Sequence, residues 1–259
     1  MAEGAPGVTT QFLLASALDS FSGAFDFIFS SREAVGGGVQ VGGLEQVWEL
    51  LSKHLVVSAL ALAAALAIAL PLGVFLGHRG TGELVAVAIG NAGRAIPELA
   101  LIAFMAAFIG IGLLNVTIAL MVLGIPPILT NAFVGVSQVE RGAIEAARGM
   151  GMSEAQVIRR IELPLAVPTI MSGVRTAAIN IVATATIAPL AGYLTLGDFV
   201  INRNVYGDEG VLAGAILVAL LALAVELFLA GLQRLLTPKG VRTAKQRTLF
   251  GWRLARPPA

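Results

Sequence analysis

Long apolar stretches alternate with short polar ones along the chain, and the lengths of the apolar stretches indicate the fold. Five stretches stand out: 55–77, 84–110, 115–136, 166–191 and 211–232. About 20 apolar residues are enough for an α-helix to cross the hydrocarbon core of a bilayer. The second stretch is interrupted by Arg94, Pro97 and Glu98, whereas the first holds no charge. The pattern predicts an all-α membrane protein whose core is a bundle of five transmembrane helices.

Residues 1–44 show a different pattern, in which apolar side chains recur at helical spacing. The recurring side chains are Leu14, Leu18, Phe21, Phe25 and Ile28. Asp19 and Asp26 fall on another face, and two carboxylates inside a lone spanning helix would be costly. The pattern therefore favours an amphipathic helix that lies on the outer membrane surface or against the bundle. A sixth span is the alternative, and in either case a flexible glycine-rich loop follows at 36–43.

The distribution of basic residues predicts the side of the membrane on which each loop lies. Twelve of the 17 Lys and Arg residues fall in the loop after the first span, in 137–164 or beyond residue 232, and three fall on the opposite side. Cytoplasmic loops carry the excess of basic residues. We therefore expect an outside N-terminus, a transmembrane domain at 45–236, and a cytoplasmic location for the 137–164 loop and the basic tail 237–259.

Composition supports a membrane location and excludes several kinds of site. The chain is 57% hydrophobic and 13% charged, whereas soluble domains carry about a quarter charged residues. It has no cysteine, which excludes disulfides and thiolate metal sites. We expect membrane lipid as a partner, no bound metal and no nucleic acid.

The polar stretch 137–164 contains a motif with fixed spacing. It reads Glu145-Ala146-Ala147, three residues, Gly151, nine residues, Ile161, one residue, then Leu163-Pro164. Glycine permits a sharp turn after the first helix of the stretch. Ser153 and Gln156 have the spacing of a capping box, which predicts the start of a second short helix. An ordinary amphipathic helix-turn-helix is the alternative interpretation.

This spacing resembles the EAA loop of permease subunits in bacterial binding-protein-dependent ABC importers, which have the type I permease fold. Further segments resemble permeases of the glycine betaine/carnitine/choline group. They are 94–101, the run from Glu145 to Met152, 162–166, 184–186 and 196–199. The resemblance covers about residues 45–236 and implies a permease subunit in the bacterial plasma membrane. The implied solute is a compatible solute such as glycine betaine, carnitine or choline.

The resemblance also implies partners and a coupling site. In this family the loop docks into a cleft on a cytoplasmic ABC ATPase dimer. The residues implied to couple the chain to that ATPase are Glu145, Ala146, Ala147, Arg148, Gly151, Ile161, Leu163 and Pro164. Arg148, Arg159 and Arg160 are assigned either to acids of the ATPase or to an anionic leaflet. A second permease chain, identical or paralogous, and an extracytoplasmic substrate-binding protein complete the implied assembly.

The chain itself lacks a nucleotide site. It contains no G-x4-G-K-[ST] motif, so ATP and Mg²⁺ are expected on the partner ATPase, with no cofactor and no enzymatic activity in this subunit. Aromatic cages hold quaternary ammonium groups, and no such cluster lies within a predicted span. High-affinity recognition is therefore expected in the separate binding protein.

Polar residues inside the spans are candidates for the translocation path. They are Arg94, Pro97, Glu98, Asn131, Asn180, Thr184 and Thr186. Arg94 and Glu98 are four residues apart and are predicted to share a helix face, either as a polar lining or as a structural ion pair. Glu226 is predicted to pair with Arg175, and His54 and His78 are given no ligand role.

Two other functions remain open at this point. One is an ABC importer permease for another small amino-acid-like solute. The other is a secondary transporter, although such carriers usually show internal repeats and the sequence shows no evident repeat.

Overall fold

The architecture comes from a computed structural model that describes residues 6–238, with side chains described for all of these except 6–17, 87, 92 and 94. Its helices are α1 (Pro6–Phe29), α2 (Gly43–Arg79), α3 (Glu83–Ala95), α4 (Glu98–Ile109), α5 (Leu113–Ser137), α6 (Arg141–Gly149), α7 (Glu154–Val157), α8 (Leu163–Thr184), α9 (Gly197–Ile201) and α10 (Arg203–Leu236). A π-helical turn (Ile158–Glu162) joins α7 to α8, and a 3-10 turn (Ala185–Ala191) follows α8. The predicted all-α class is confirmed.

Four helical runs in the described part of the chain are long and apolar enough to cross a membrane. They are α2, α5, the run Glu154–Ala191 that contains α8, and α10, and they are 25 to 38 residues long. Four of the five predicted spans therefore correspond to single runs. The helix expected at 44–54 is also present, but it is continuous with the first span, since α2 begins at Gly43 and ends at Arg79.

The predicted second span, 84–110, is not one helix. The chain forms α3 and α4, of 13 and 12 residues, with an extended backbone at Ile96 (ψ 119°) between them. Proline disfavours the helical conformation at the residue before it and removes a helical N–H. Arg94 lies in the last turn of α3, whereas Glu98 begins α4, so the predicted shared helix face is wrong.

The described residues form two compact units. The hairpin unit comprises residues 6–61, Pro97–Leu120 and Ile181–Leu223, and the loop unit comprises Leu62–Ile96, Met121–Asn180 and residues 224–238. Helices α2, α5, α8 and α10 each contribute residues to both units.

Small residues bring the helices of the loop unit close together. A Cβ added at Gly73 would lie 2.7 Å from the carbonyl oxygen of Leu129, and one at Gly173 would lie 2.5 Å from that of Pro127. Such close backbone approach is typical of helix pairs in membranes, where small residues form the interface. Apolar side chains of α2, α5 and α8 fill the space between these contacts, with Leu129, Ile128 and Ala177 fully buried.

An aromatic cluster and a short β-hairpin organise the hairpin unit. Phe27, Phe199 and Tyr206 meet edge to face, with ring centroids 4.9 to 6.1 Å apart. Strands β1 (Ser31–Glu33) and β2 (Gln40–Gly42) pair antiparallel. The hairpin encloses the glycine-rich segment that the sequence indicates only as a flexible loop. Arg32 in β1 forms an ion pair with Glu209.

The N-terminal segment is helical, but its packed side differs in part from the predicted apolar face. Leu18, Phe21 and Phe25 are exposed, whereas Ala24 and Phe27 are fully buried. Of the predicted apolar face, Ile28 is buried as well, at 8% exposed, so over its described part only the end of that face packs within the hairpin unit, beside Phe27 of the aromatic cluster. The location of this helix on the membrane surface stays a prediction.

The predicted basic tail lies outside the described residues from position 239 onward.

Candidate functional site

The EAA loop (137–164) has the helix-turn-helix form that its sequence predicts. Helix α6 carries Glu145 to Arg148, and the chain then turns at Gly151, whose φ of +82° lies in the left-handed region that favours glycine. The N–H of Met152 donates to the carbonyl of Ala147 at 3.2 Å, which closes the end of the helix. The predicted capping box is present, with the Ser153 N–H donating to Oε1 of Gln156 at 2.8 Å.

The motif residues divide into one buried anchor and an exposed surface. Ala147 is 1% exposed and packs α6 against its own unit. Glu145 and Ala146 are exposed on the other side of the helix, and Met150 at the turn is 70% exposed. An exposed methionine beside a carboxylate and a small alanine forms a surface suited to protein contact rather than to chemistry on a small molecule.

Arg148 is held within the loop. Its Nε and Nη2 atoms donate to the two carboxylate oxygens of Glu154 at 3.0 and 2.9 Å. These hydrogen bonds raise the pKa of the Arg148 guanidinium above its usual value. The sequence had indicated no intramolecular partner for Arg148. Its assignment to a partner's acid or to a lipid leaflet stays a prediction, as it does for the exposed Arg159 and Arg160.

A histidine that the sequence analysis left without a role joins α2 to this loop. The Nδ1 atom of His78 lies 2.8 Å from Oε2 of Glu162, and its Nε2 atom lies 3.2 Å from Oε2 of Glu154. The Glu162 side chain is 2% exposed and sits in the π-helical turn, at the variable position of the Ile161-x-Leu163 motif. The 84 residues between His78 and Glu162 explain why spacing alone did not reveal this contact.

The loop continues into α8 through Ile161, Leu163 and Pro164. Leu163 packs against the apolar cluster of the loop unit, and Ile161 and Pro164 are half-buried. Pro164 is the second residue of α8 and directly follows the π-helical turn and Leu163. All eight predicted coupling residues therefore belong to one continuous structure within the loop unit.

A cavity of about 250 Å³ opens beside this structure. Its polar lining comes from the ends of α2 and α5 and from α6. The ionisable lining residues are His78, Arg79, Arg141, Glu145, Arg148 and Glu162. None of the predicted path residues whose side chains the structure describes lines it. Among the described residues, no group of three or more His, Cys, Asp or Glu side chains has an arrangement that could hold a metal ion.

The predicted pair of Arg175 and Glu226 is confirmed. The guanidinium of Arg175 contacts both carboxylate oxygens of Glu226, with Nε at 3.2 Å from Oε2, and donates from Nη1 to Oε1 of Gln233 at 2.8 Å. Gln233 in turn donates to the carbonyl of Pro168 at 3.1 Å. The network joins α8 to α10 and satisfies two intramembrane charges.

The predicted path residues have different environments. The Asn131 amide donates to the carbonyl of Pro127 at 2.8 Å, and its Cβ contacts the backbone of Gly173, so it serves helix packing. Asn180 is exposed on α8. Thr184 is 4% exposed, and the hydroxyl of Thr186 is buried without a partner among the described residues.

Three other candidates lie at the break between α3 and α4. Pro97 and Glu98 are exposed there, and the side chain of Arg94 lies outside the described part of the structure. Arg94, Asn131 and Asn180 belong to the loop unit, whereas Pro97, Glu98, Thr184 and Thr186 belong to the hairpin unit. The predicted coupling residues thus lie within one unit, whereas the predicted path residues are divided between the two.

Comparisons with known proteins agree with this architecture. Residues 69–239 match the family described as the binding-protein-dependent transport system inner membrane component. The chain is 38% identical over 204 residues to the carnitine transport permease protein OpuCB of Listeria monocytogenes, covering 78% of this chain and 92% of that protein. It is 36% identical over 202 residues to the choline transport system permease protein OpuBB of Bacillus subtilis strain 168, covering 76% and 93%.

A third relative and a solved structure extend the comparison. Identity to the glycine betaine/carnitine/choline transport system permease protein OpuCB of B. subtilis strain 168 is 34% over 209 residues, covering 80% of this chain and 96% of that protein. An inward-facing structure of the MetNI methionine ABC transporter superimposes with a TM-score of 0.64 at 22% identity, covering 75% and 98%, and shows the fold alone. Since the family match extends over more than half of the chain, this protein belongs to the family of inner membrane components of binding-protein-dependent transport systems.

Proposed function

We propose that this permease forms the translocation path of an ATP-driven importer for a small quaternary ammonium solute such as glycine betaine, carnitine or choline. The transport function follows from family membership, and the names of the three relatives support the solute class. The observation that carries the ATP-driven part is the EAA loop, with its buried Ala147 and its exposed Glu145 and Ala146. That arrangement supports a contact surface for a partner protein on a helix that is anchored by a buried residue.

The proposed partner at this surface is a separate ATPase dimer. Ala146 permits close approach, Glu145 supplies a charge for a basic group of the ATPase, and Met150 supplies adaptable apolar area. ATP and Mg²⁺ would be bound by that partner. Closure of the ATPase dimer would draw two EAA loops together and shift the permease pair between inward- and outward-open states.

The proposed translocation path includes a polar stripe on α8. Ser172, Thr176 and Asn180 follow one another at intervals of four residues, and all three are exposed. Polar side chains of a spanning helix are costly against lipid and usually face a protein neighbour or a water-filled cavity. We assign this stripe to the path, where hydroxyl and amide dipoles give a zwitterion or cation weak, transient contacts.

The proposed topology places the EAA loop in the cytoplasm and the N-terminus outside, in a bacterial plasma membrane. The excess of basic residues in and after the loop supports this orientation. A second permease chain and an external substrate-binding protein complete the assembly, and the latter would hold the quaternary ammonium group tightly.

Copurification and calorimetry test this function. The tagged permease is expected to retain a Walker-motif ATPase in mild detergent, and titration of the cognate binding protein with glycine betaine, carnitine and choline is expected to give saturable heat for at least one of them. A permease purified without any ATPase, from cells that import these solutes through it, contradicts the proposal.

A further inference from the structure

The end of α2 is linked to the EAA loop by one imidazole ring between two carboxylates. The chain runs directly from the loop into α8, so motion of the loop reaches α8 through covalent bonds. Helix α2 ends at Arg79, far earlier in the sequence, so motion reaches it through a non-covalent contact. His78, with Nδ1 at 2.8 Å from Glu162 and Nε2 at 3.2 Å from Glu154, provides such a contact.

The chemistry of this contact is demanding. A neutral imidazole has one N–H donor and one acceptor nitrogen, whereas ionised carboxylates only accept. Both contacts are favourable together when the ring carries two N–H groups, as an imidazolium. The Glu162 side chain is 2% exposed and that of His78 is 12% exposed, whereas that of Glu154 is 58% exposed, so the contact between His78 and Glu162 is largely shielded from water. A buried carboxylate without its partner is strongly destabilising.

The second carboxylate extends the link further into the loop. Glu154 contacts His78 and also receives two hydrogen bonds from Arg148 of α6. One connected network therefore joins the end of α2, helix α6, the start of α7 and the π-helical turn. Arg79, the residue after His78, lies over the ring of Phe75, with 4.5 Å between the guanidinium carbon and the ring centroid.

We propose that His78 is a positioning residue for ATP coupling: it fixes the EAA loop to the end of α2, so that movement of the loop also moves this spanning helix. The inference rests on the proposed function, because it assigns His78 a part in transmitting force from the ATPase. His78 lies outside the EAA motif. Its contact gives the loop a second route for moving the permease, in addition to the covalent connection to α8.

Two double variants separate positioning from simple stabilisation. His78→Leu with Glu162→Leu removes the link without leaving a buried charge, and such hydrophobic replacements of buried pairs are often neutral for stability. His78→Gln with Glu162→Gln also removes the charges but leaves two amides that can bond. The Leu pair is expected to fold normally and to move about tenfold less solute per ATP hydrolysed, whereas the Gln pair recovers most of the coupling.

A control for the loss of an ion pair as such comes from an exposed pair elsewhere in the chain. Glu49 pairs with Lys53 at 2.6 Å. Glu49→Gln with Lys53→Gln is expected to leave the solute-to-ATP ratio unchanged. A folded Leu pair with the wild-type ratio overturns the inference.

A spectroscopic arm tests the link without relying on transport. Since the chain has no cysteine, spin labels can be placed by Thr81→Cys and Ala155→Cys, at two exposed positions on either side of the link. Pulsed dipolar spectroscopy of the assembled complex is expected to give a narrow distance distribution in the wild-type and Gln-pair backgrounds and a broad one with the Leu pair. An equally narrow distribution with the Leu pair overturns the inference, whereas a wild-type complex that moves no solute counts against the proposed function instead.

Discussion

The backbone of Gly197 lies against the carbonyl group of Thr186 so closely that a Cβ at position 197 would fall 1.7 Å from the carbonyl oxygen. Thr195 supports this approach, since its hydroxyl donates to the carbonyl of Ala185 at 2.8 Å and accepts from the N–H of Gly197 at 3.2 Å. Two segments that carry the family resemblance, 184–186 and 196–199, therefore pack directly on each other within the hairpin unit.

Gly197→Ala is accordingly expected to destabilise the protein, because backbone rather than a flexible side chain blocks the new methyl group. Overpacking of this kind costs about 3 kcal/mol, at the upper end of the usual range. The apparent melting temperature in detergent should fall by about 6–12 °C. Gly231→Ala is the matched control, since its Cβ would meet nothing within 4 Å and alanine favours a helix. Equal melting temperatures for the two variants contradict the packing argument.

Loss of one member of the Arg175–Glu226 pair should cost more than loss of both. Arg175→Gln or Glu226→Gln leaves an uncompensated charge between α8 and α10, with an expected cost of about 3 kcal/mol. The double change to glutamine leaves polar groups that can bond to each other and to Gln233. Thermal unfolding of the four proteins forms a double-mutant cycle, and strictly additive losses would show that the two residues do not interact.

Substitutions at Gly151 should distinguish local backbone strain from contact with the ATPase. A Cβ at this position meets nothing within 4 Å, so the chain itself has room for a side chain, and the left-handed conformation costs roughly 1–2 kcal/mol. Gly151→Asn tolerates that conformation and should retain most ATP-driven uptake. Gly151→Trp should insert normally and lose uptake, since the indole would occupy the docking surface. Normal uptake by the Trp variant would remove Gly151 from the coupling site.

Two asparagines are expected to respond in opposite ways to replacement by leucine. Asn131→Leu should lower the melting temperature, because its amide bonds the carbonyl of Pro127 and its Cβ packs against Gly173. Asn180→Leu should leave stability nearly unchanged and reduce solute uptake several-fold, because it alters the exposed polar stripe of α8. Unchanged uptake with Asn180→Leu would exclude this stripe from the path.

The features predicted correctly from the sequence are those encoded locally. The lengths of the apolar stretches predicted four of the spans, and the residue spacing in 137–164 predicted two short helices with a capping box at Ser153 and Gln156. The Arg175–Glu226 pair was also predicted, because two opposite charges inside apolar spans require partners.

The features that sequence reasoning missed depend on tertiary contacts. His78 and Glu162 are 84 residues apart, and a half-buried histidine at a span boundary gives no periodic signal. The packing of Phe27 was not predicted, because this side chain lies between Phe25 and Ile28 of the apolar stripe and its partners in the aromatic cluster are far away in the sequence. The sequence showed Pro97 as an interruption of the stretch 84–110. The stretch was still predicted to be one span because its apolar residues are numerous enough to cross a membrane, whereas the helix ends before Pro97.

Reconstituted transport tests the central claim most directly. The permease, its ATPase and its binding protein are assembled in proteoliposomes, and uptake of radiolabelled glycine betaine, carnitine, choline and methionine is measured with ATP and with a non-hydrolysable analogue. The account predicts ATP-dependent accumulation of at least one of the three quaternary amines, and none of methionine. Accumulation of methionine alone, or uptake of a quaternary amine that continues without ATP hydrolysis and follows an ion gradient, would contradict it.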